Sequence, residues 1–160
     1  ASTEQILETA LDRIQVGVRA MHEAVLLPGR RSWRAAAVRA TTPQAVSAWA
    51  RRNMLSPPET VCRSDPLFPL RLPLEIGDDG PAAIVGWLLL GPRPDGSFFQ
   101  RDELETLREL ADPIARAVQI ATTRTRRERA LQAELRTLKS EIAAIRGLLA
   151  TGRGATQPPR

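Results

Sequence analysis

The residues able to do chemistry are few in this chain, and they do not converge. It holds one histidine, His22, one cysteine, Cys62, and no tyrosine. A Ser-His-Asp or Cys-His set needs a base beside its nucleophile and a third group to orient that base. No such arrangement, and no paired-carboxylate arrangement, is recoverable, so no catalytic residue is assigned. A phosphate-cradling loop is missing as well. Asp65, Asp78 and Asp79 lack the spacing of a metal loop. One cysteine excludes an intrachain disulfide and a cysteine-rich metal site, so no metal is expected. His22 reads as a helix–strand junction residue, with a ligand or a pH-sensitive group as alternatives. Cys62 reads as a plain thiol, or as an oxidation sensor if Arg63 lowers its pKa.

Charge is placed unevenly along the 160 residues. Residues 1–120 carry 14 basic against 15 acidic side chains, and residues 121–160 carry 9 against 3. The formal charge of +5 is therefore a property of the tail. Arg124, Arg126, Arg127 and Arg129 precede a heptad, as in zipper-type DNA readers. That motif needs a longer basic helix with base-reading polar residues. No nucleic-acid partner is expected, and the arginines read as a solvated hinge. There is no 18-residue apolar run and thus no membrane span. The start has no basic n-region, so it is not a signal peptide. A cytoplasmic location is the default for one free thiol. The absent initiator methionine suggests processing or a piece of a longer protein.

The elements that must position these residues follow from periodicity. Ser2 or Thr3 caps a helix whose apolar face is Ile6, Leu7, Ala10, Leu11, Ile14, Val18 and Met21. Residues 22–27 and 32–40 read as a hairpin of strands. Thr42 caps, and Pro43 opens, a short helix carrying Val46, Trp49 and Ala50. Residues 54–66 read as a loop. Residues 67–76 alternate, but Pro69 and Pro73 lack the N–H of a central strand and point to an edge. A turn at 77–80 leads to a strand at 83–90. Its alternation puts Val85, Trp87 and Leu89 on one face and Ile84, Leu88 and Leu90 on the other. A helix follows from residue 101, with a kink expected at Pro113. Residues 122–129 either continue this helix or break it.

The most regular spacing comes last. Leu131, Leu135, Leu138, Ile142, Ile145 and Leu149 recur at four and three, an a/d seam. Glu134 and Glu141 fall at g, Lys139 and Arg146 at e. These pair with opposite sign across a parallel homodimer. The chain thus divides into a body at 1–121, a helix and parallel coiled coil at 122–150, and a disordered tail at 151–160.

The stretch 84–118 carries a family resemblance. Its strand 84–90 is followed by Gly91, Pro92, Asp95, Gly96, Phe98, Phe99, Asp102, Leu104, Leu107, Leu110 and Ala111, then by 115–118. This resembles the end of a GAF domain of the kind found in bacterial sensor histidine kinases. The similarity covers 67–121 well and 3–54 more loosely. It implies an α+β fold, with an antiparallel sheet flanked by N- and C-terminal helices. It also implies a ligand space between sheet and loop, bounded here by Trp49, Cys62 and Trp87. Cyclic-nucleotide binders of this family share an Asn-Lys pair upstream of Phe-x-x-x-Asp-Glu; only Phe98, Asp102 and Glu103 are present. Cys62 lacks the following histidine of bilin binders, and His22 is the sole candidate heme ligand. No cofactor is named. The resemblance implies a non-enzymatic, dimeric sensory module that signals through its last helix to an output domain, in a two-component system. The alternative is a degenerate fold whose pocket is filled by its own side chains and whose coil recruits a partner.

Overall fold

The computed structural model describes residues 2–77 and 80–154. Asp78 and Asp79 of the expected turn, and residues 155–160 of the expected tail, lie outside the described residues. Two compact units divide between Ala121 and Thr122.

In the first unit, α1 spans Thr3–Val18 and starts with a capping box. The Ser2 hydroxyl accepts from Gln5 N while Gln5 Oε1 accepts from Ser2 N, satisfying two otherwise unpaired donors. The helix ends earlier than its apolar spacing suggests. Arg19 takes the left-handed conformation at φ 57°, and Met21 is left exposed. Met21 N instead donates to Pro92 O at 2.9 Å, so the chain has already turned into the sheet.

Strands β1 (Glu23–Pro28), β2 (Trp33–Arg39), β3 (Leu70–Ile76) and β4 (Ala83–Leu90) form one antiparallel sheet of order β2-β1-β4-β3. The prolines fit this order, because β3 is an edge, where a residue that lacks an N–H is tolerated since one side of the strand has no ladder to bond. The loop after α2 (Pro43–Asn53) is less irregular than its prolines imply. Val61 bridges Leu70, and Cys62 N donates to Pro69 O at 2.8 Å.

Two apolar clusters cover the sheet. On one face, Leu7, Leu11, Ile14 and Val18 of α1 meet Leu107, Ala111, Ala115 and Val118 of α3 (Arg101–Gly154), over Val25, Leu72, Leu88 and Leu90. On the other, Val46, Trp49 and Ala50 of α2 meet Phe68, over Ala24, Leu26, Trp87 and Leu89. Alternation along β4 places Leu88/Leu90 and Trp87/Leu89 correctly but fails earlier. Leu74 pairs with Gly86 and Glu75 with Ile84, so Val85 is an extra residue. The bulge turns Val85 toward the α1 face and leaves Ile84 39 % exposed.

Gly86 lies where two strands and a side chain leave no room. A Cβ there would meet Leu26 O at 2.7 Å and Leu74 Cδ1 at 3.1 Å. Helix α3 is continuous through Pro113 and through 122–129, and it passes Gly152, where a stop was expected. Arginine and glutamate are good helix formers, which suffices for a wet segment.

Gly86→Ala is expected to lower stability by about 1–3 kcal/mol through overpacking against backbone. Urea unfolding, with an unchanged m-value, is the check.

Candidate functional site

The loop at 59–69 is organised by one carboxylate. Asp65 Oδ1 accepts from the backbone N–H groups of Leu67 (2.9 Å) and Phe68 (3.2 Å). Its Oδ2 accepts from Trp49 Nε1 at 2.7 Å and Arg71 Nη2 at 2.6 Å. Both ends of the ion pair are buried, with side chains 6 % exposed at Arg71 and 9 % at Asp65. Arg71 Nε donates to Phe68 O and Nη1 to Glu59 O. Burial opposes ionisation of Asp65, but the donors from Trp49, Leu67, Phe68 and Arg71 outweigh it. The carboxyl is held below its ordinary range.

A recess of about 350 Å³ opens beside this hub, lined by Trp49, Arg52, Cys62, Ser64, Asp65 and Arg71 among others. Trp49 and Cys62 therefore meet at one place. Trp87 is not among the lining residues. It is buried with Trp49 and Phe68 in the cluster beneath. Trp49 stacks edge-on to Phe68 at 5.2 Å, and His22 does the same at 5.2 Å. The Cys62 thiol is lowered, first by a 3.4 Å hydrogen bond with Ser64 Oγ and further by the charge of Arg71. Arg63 is not a cause; its guanidinium lies 4.5 Å over the Phe98 ring.

His22 is pinned at the junction of α1 and β1. Its Nε2 donates to Leu67 O, and a Cβ on Gly91 would strike its ring at 2.6 Å. Among the described residues, no three His, Cys, Asp or Glu side chains cluster as metal ligands. No described helix is long and apolar enough to cross a membrane.

The turn 91–100 forms a second knot. Arg93 pairs with Glu103, donates to Val18 O at 3.2 Å and lies over Phe99 at 4.6 Å. Gly96 takes φ 75°, and Asp95 Oδ1 accepts from Ser97 N and Oγ. This arrangement ties the end of α1 to the start of α3. Sequence inspection missed the Asp65–Arg71 pair, whose signal was an acidic residue before Pro66 and a basic one inside an apolar strand. It also missed Glu23, an acidic residue on a buried strand face.

In the second unit, Leu131, Leu135, Leu138, Ile142, Ile145 and Leu149 are each between 49 % and 64 % exposed.

Removing Asp65 strands a buried guanidinium and three other donors. Asp65→Ala should cost roughly 3–5 kcal/mol, and Asp65→Asn less because it keeps an acceptor. The folded carboxyl titrates below its ordinary 3.8, so its contribution is present above that value. It is lost as pH falls through the lower folded value. Acid unfolding followed by tryptophan fluorescence should accordingly be steeper in the native chain than in Asp65→Asn.

No protein-family model matches the chain, and no curated protein matches it. Solved structures do. The second GAF domain of DevS from Mycobacterium smegmatis aligns with TM-score 0.56 at 19 % identity, covering 78 % of this chain and 99 % of that one. The GAF domain of a candidate sensor histidine kinase from Pseudomonas syringae pv. tomato aligns at 0.51 and 21 %, covering 83 % and 82 %. A GAF domain/HD domain protein from Geobacter sulfurreducens aligns at 0.52 and 14 %, covering 76 % and 94 %. An antiparallel sheet with α1 and α3 on one face and α2 on the other, superposable on these domains, makes this a GAF fold.

Proposed function

We propose that the chain is a non-catalytic regulatory module that works as a parallel homodimer. It passes a change in its GAF body through α3 to an output domain, in the manner of a sensor kinase in a two-component system of the cytoplasm. The observation that carries this is the seam at Leu131, Leu135, Leu138, Ile142, Ile145 and Leu149. Six large apolar side chains at alternating four- and three-residue spacing face solvent in the single chain. The charge order Glu134–Lys139 and Glu141–Arg146 suits a parallel partner of the same sequence. A similar domain belongs to a candidate sensor histidine kinase, which favours that kind of output.

A small ligand, if one is the stimulus, would enter the recess at Trp49 and Cys62, with Trp87 backing Trp49 from below. The packing of Trp49, Phe68 and Trp87 favours a second reading. Phe68 is 0 % exposed, and the Asp65–Arg71 pair ties the loop to β3. The space a ligand would need is then occupied by the chain's own side chains. On that reading the stimulus comes from a protein partner recruited through the coil.

Light scattering on the full chain is expected to give a dimer mass. The Leu138→Asp and Ile142→Asp double substitution should give a monomer with the same circular-dichroism signal from the sheet. A native chain that stays monomeric at high concentration removes the dimeric mechanism.

A further inference from the structure

One buried side chain is explained by neither the core nor the recess. Glu23 opens β1 with 0 % exposure, and neither carboxyl oxygen has a hydrogen-bond partner among the described residues. Along β1, Ala24 and Leu26 belong to the α2 face, whereas Val25 and Leu27 belong to the α1 face. Glu23 shares the parity of Val25 and Leu27 and so stands on the α1 face.

Its partners across the ladders are Arg39 on β2 and Leu90 on β4. Directly opposed side chains of opposite charge would ordinarily pair. Arg39 is engaged elsewhere. Its Nε donates to Asp12 Oδ1 at 2.6 Å, Nη2 to Glu8 O at 3.2 Å, and Nη1 to Val38 O at 3.0 Å. Two of those acceptors lie on α1, so Arg39 clasps that helix to β2.

We propose that Glu23 is a proton-binding site that sets how firmly α1 is held to the sheet. Protonated, it is a neutral core residue and Arg39 clasps α1. Ionised, it draws Arg39 across the ladder, away from Asp12 and the Glu8 carbonyl, and α1 loosens. The physical reason is that a bare carboxylate in an apolar cluster is too costly to persist without a cation.

The charged groups around it set the balance. Burial is the largest influence and raises its carboxyl to about 7; Arg39 on β2 pulls it down and Asp12 on α1 pushes it up. The carboxylate of Glu8 acts on Arg39. From β4 the facing residue is Leu90, and the buried α3 residues of this cluster, Leu107, Ala111, Ala115 and Val118, are apolar. Arg93 is paired with Glu103, and the His22 ring bonds Leu67. The folded chain thus keeps its proton to higher pH than an unfolded one with the ordinary 4.5. Stability therefore falls as pH rises from 4.5 through about 7, and the deficit is complete above that. The device needs neither dimerisation nor a small-molecule ligand.

Carbon-13 NMR of the Glu23 carboxyl in the full chain, titrated between about pH 5 and 9, tests it directly. The Arg39 Nε–H resonance and α1 amide exchange, corrected for intrinsic base catalysis, are followed in parallel. The carboxyl should titrate near 7, with the Arg39 and α1 signals sharing its midpoint. Protection of α1 should fall by up to about tenfold per pH unit as pH rises toward the midpoint, and level off above it. Glu23→Gln should abolish the response. Asp12→Asn, at a side chain 62 % exposed, should release Arg39 and lower the Glu23 midpoint, which keeps the test open if Glu23→Gln does not fold. A carboxyl that titrates in the ordinary glutamate range, an α1 that ignores the transition, or an unmoved midpoint in Asp12→Asn would overturn the proposal.

Discussion

A strand buried on both faces must be covered twice, and β4 imposes that constraint on the body of this protein. From Gly86 to Leu90 every residue is buried. Its even and odd positions feed two separate clusters, one under α1 and α3 and the other under α2 and Phe68. Each helix is amphipathic, so each needs the sheet as much as the sheet needs it. The loop at 59–69 completes the second cover. It contributes little regular structure, so it is fixed by side chains instead. Asp65 supplies four acceptor contacts and Arg71 supplies three donor contacts from within β3.

That solution bears on what the recess could admit. A buried ion pair is weak evidence for stability but strong evidence for a defined loop geometry, because breaking it leaves a charge in the core. With Trp49 donating into the same carboxylate, α2, the loop and β3 are joined at a single group. A ligand entering the recess would have to compete with contacts already made. The opposite face behaves differently. There α1 is attached to β2 by a largely buried arginine clasp beside a carboxyl that has no hydrogen-bond partner among the described residues, an arrangement that, on the proposal above, a single proton unbalances.

Strong periodicity made most of the fold legible. The capped starts at Ser2 and Thr42, the edge position of the proline-bearing β3 and the helix from residue 101 all follow from local rules. What failed were features set by tertiary geometry. The bulge at Val85 inserts one residue and flips the face of everything before it, and no composition marks it. Met21 continues the spacing of α1 yet follows a left-handed Arg19, because the chain must turn to bond Pro92. Of the expected site residues, Trp49 and Cys62 come together at the recess, whereas Trp87 does not reach it. Glu23 passed unnoticed since one acidic residue at a strand start looks like an exposed end. Only the sheet order, which puts β1 in the interior between β2 and β4, buries it.

The second unit poses a different energetic question. Helix α3 is 54 residues long, and most helical stability in proteins comes from packing an apolar face rather than from propensity. In the first unit those contacts exist, through Leu107, Ala111, Ala115 and Val118. In the second, exposed leucines and isoleucines at a/d positions leave the same need unmet within one chain. A helix polar on all sides could settle for i,i+4 pairs such as Arg124–Glu128. One that concentrates its large apolar residues along a single seam gains from them only when a matching seam covers it, which is the need the proposed parallel homodimer would meet.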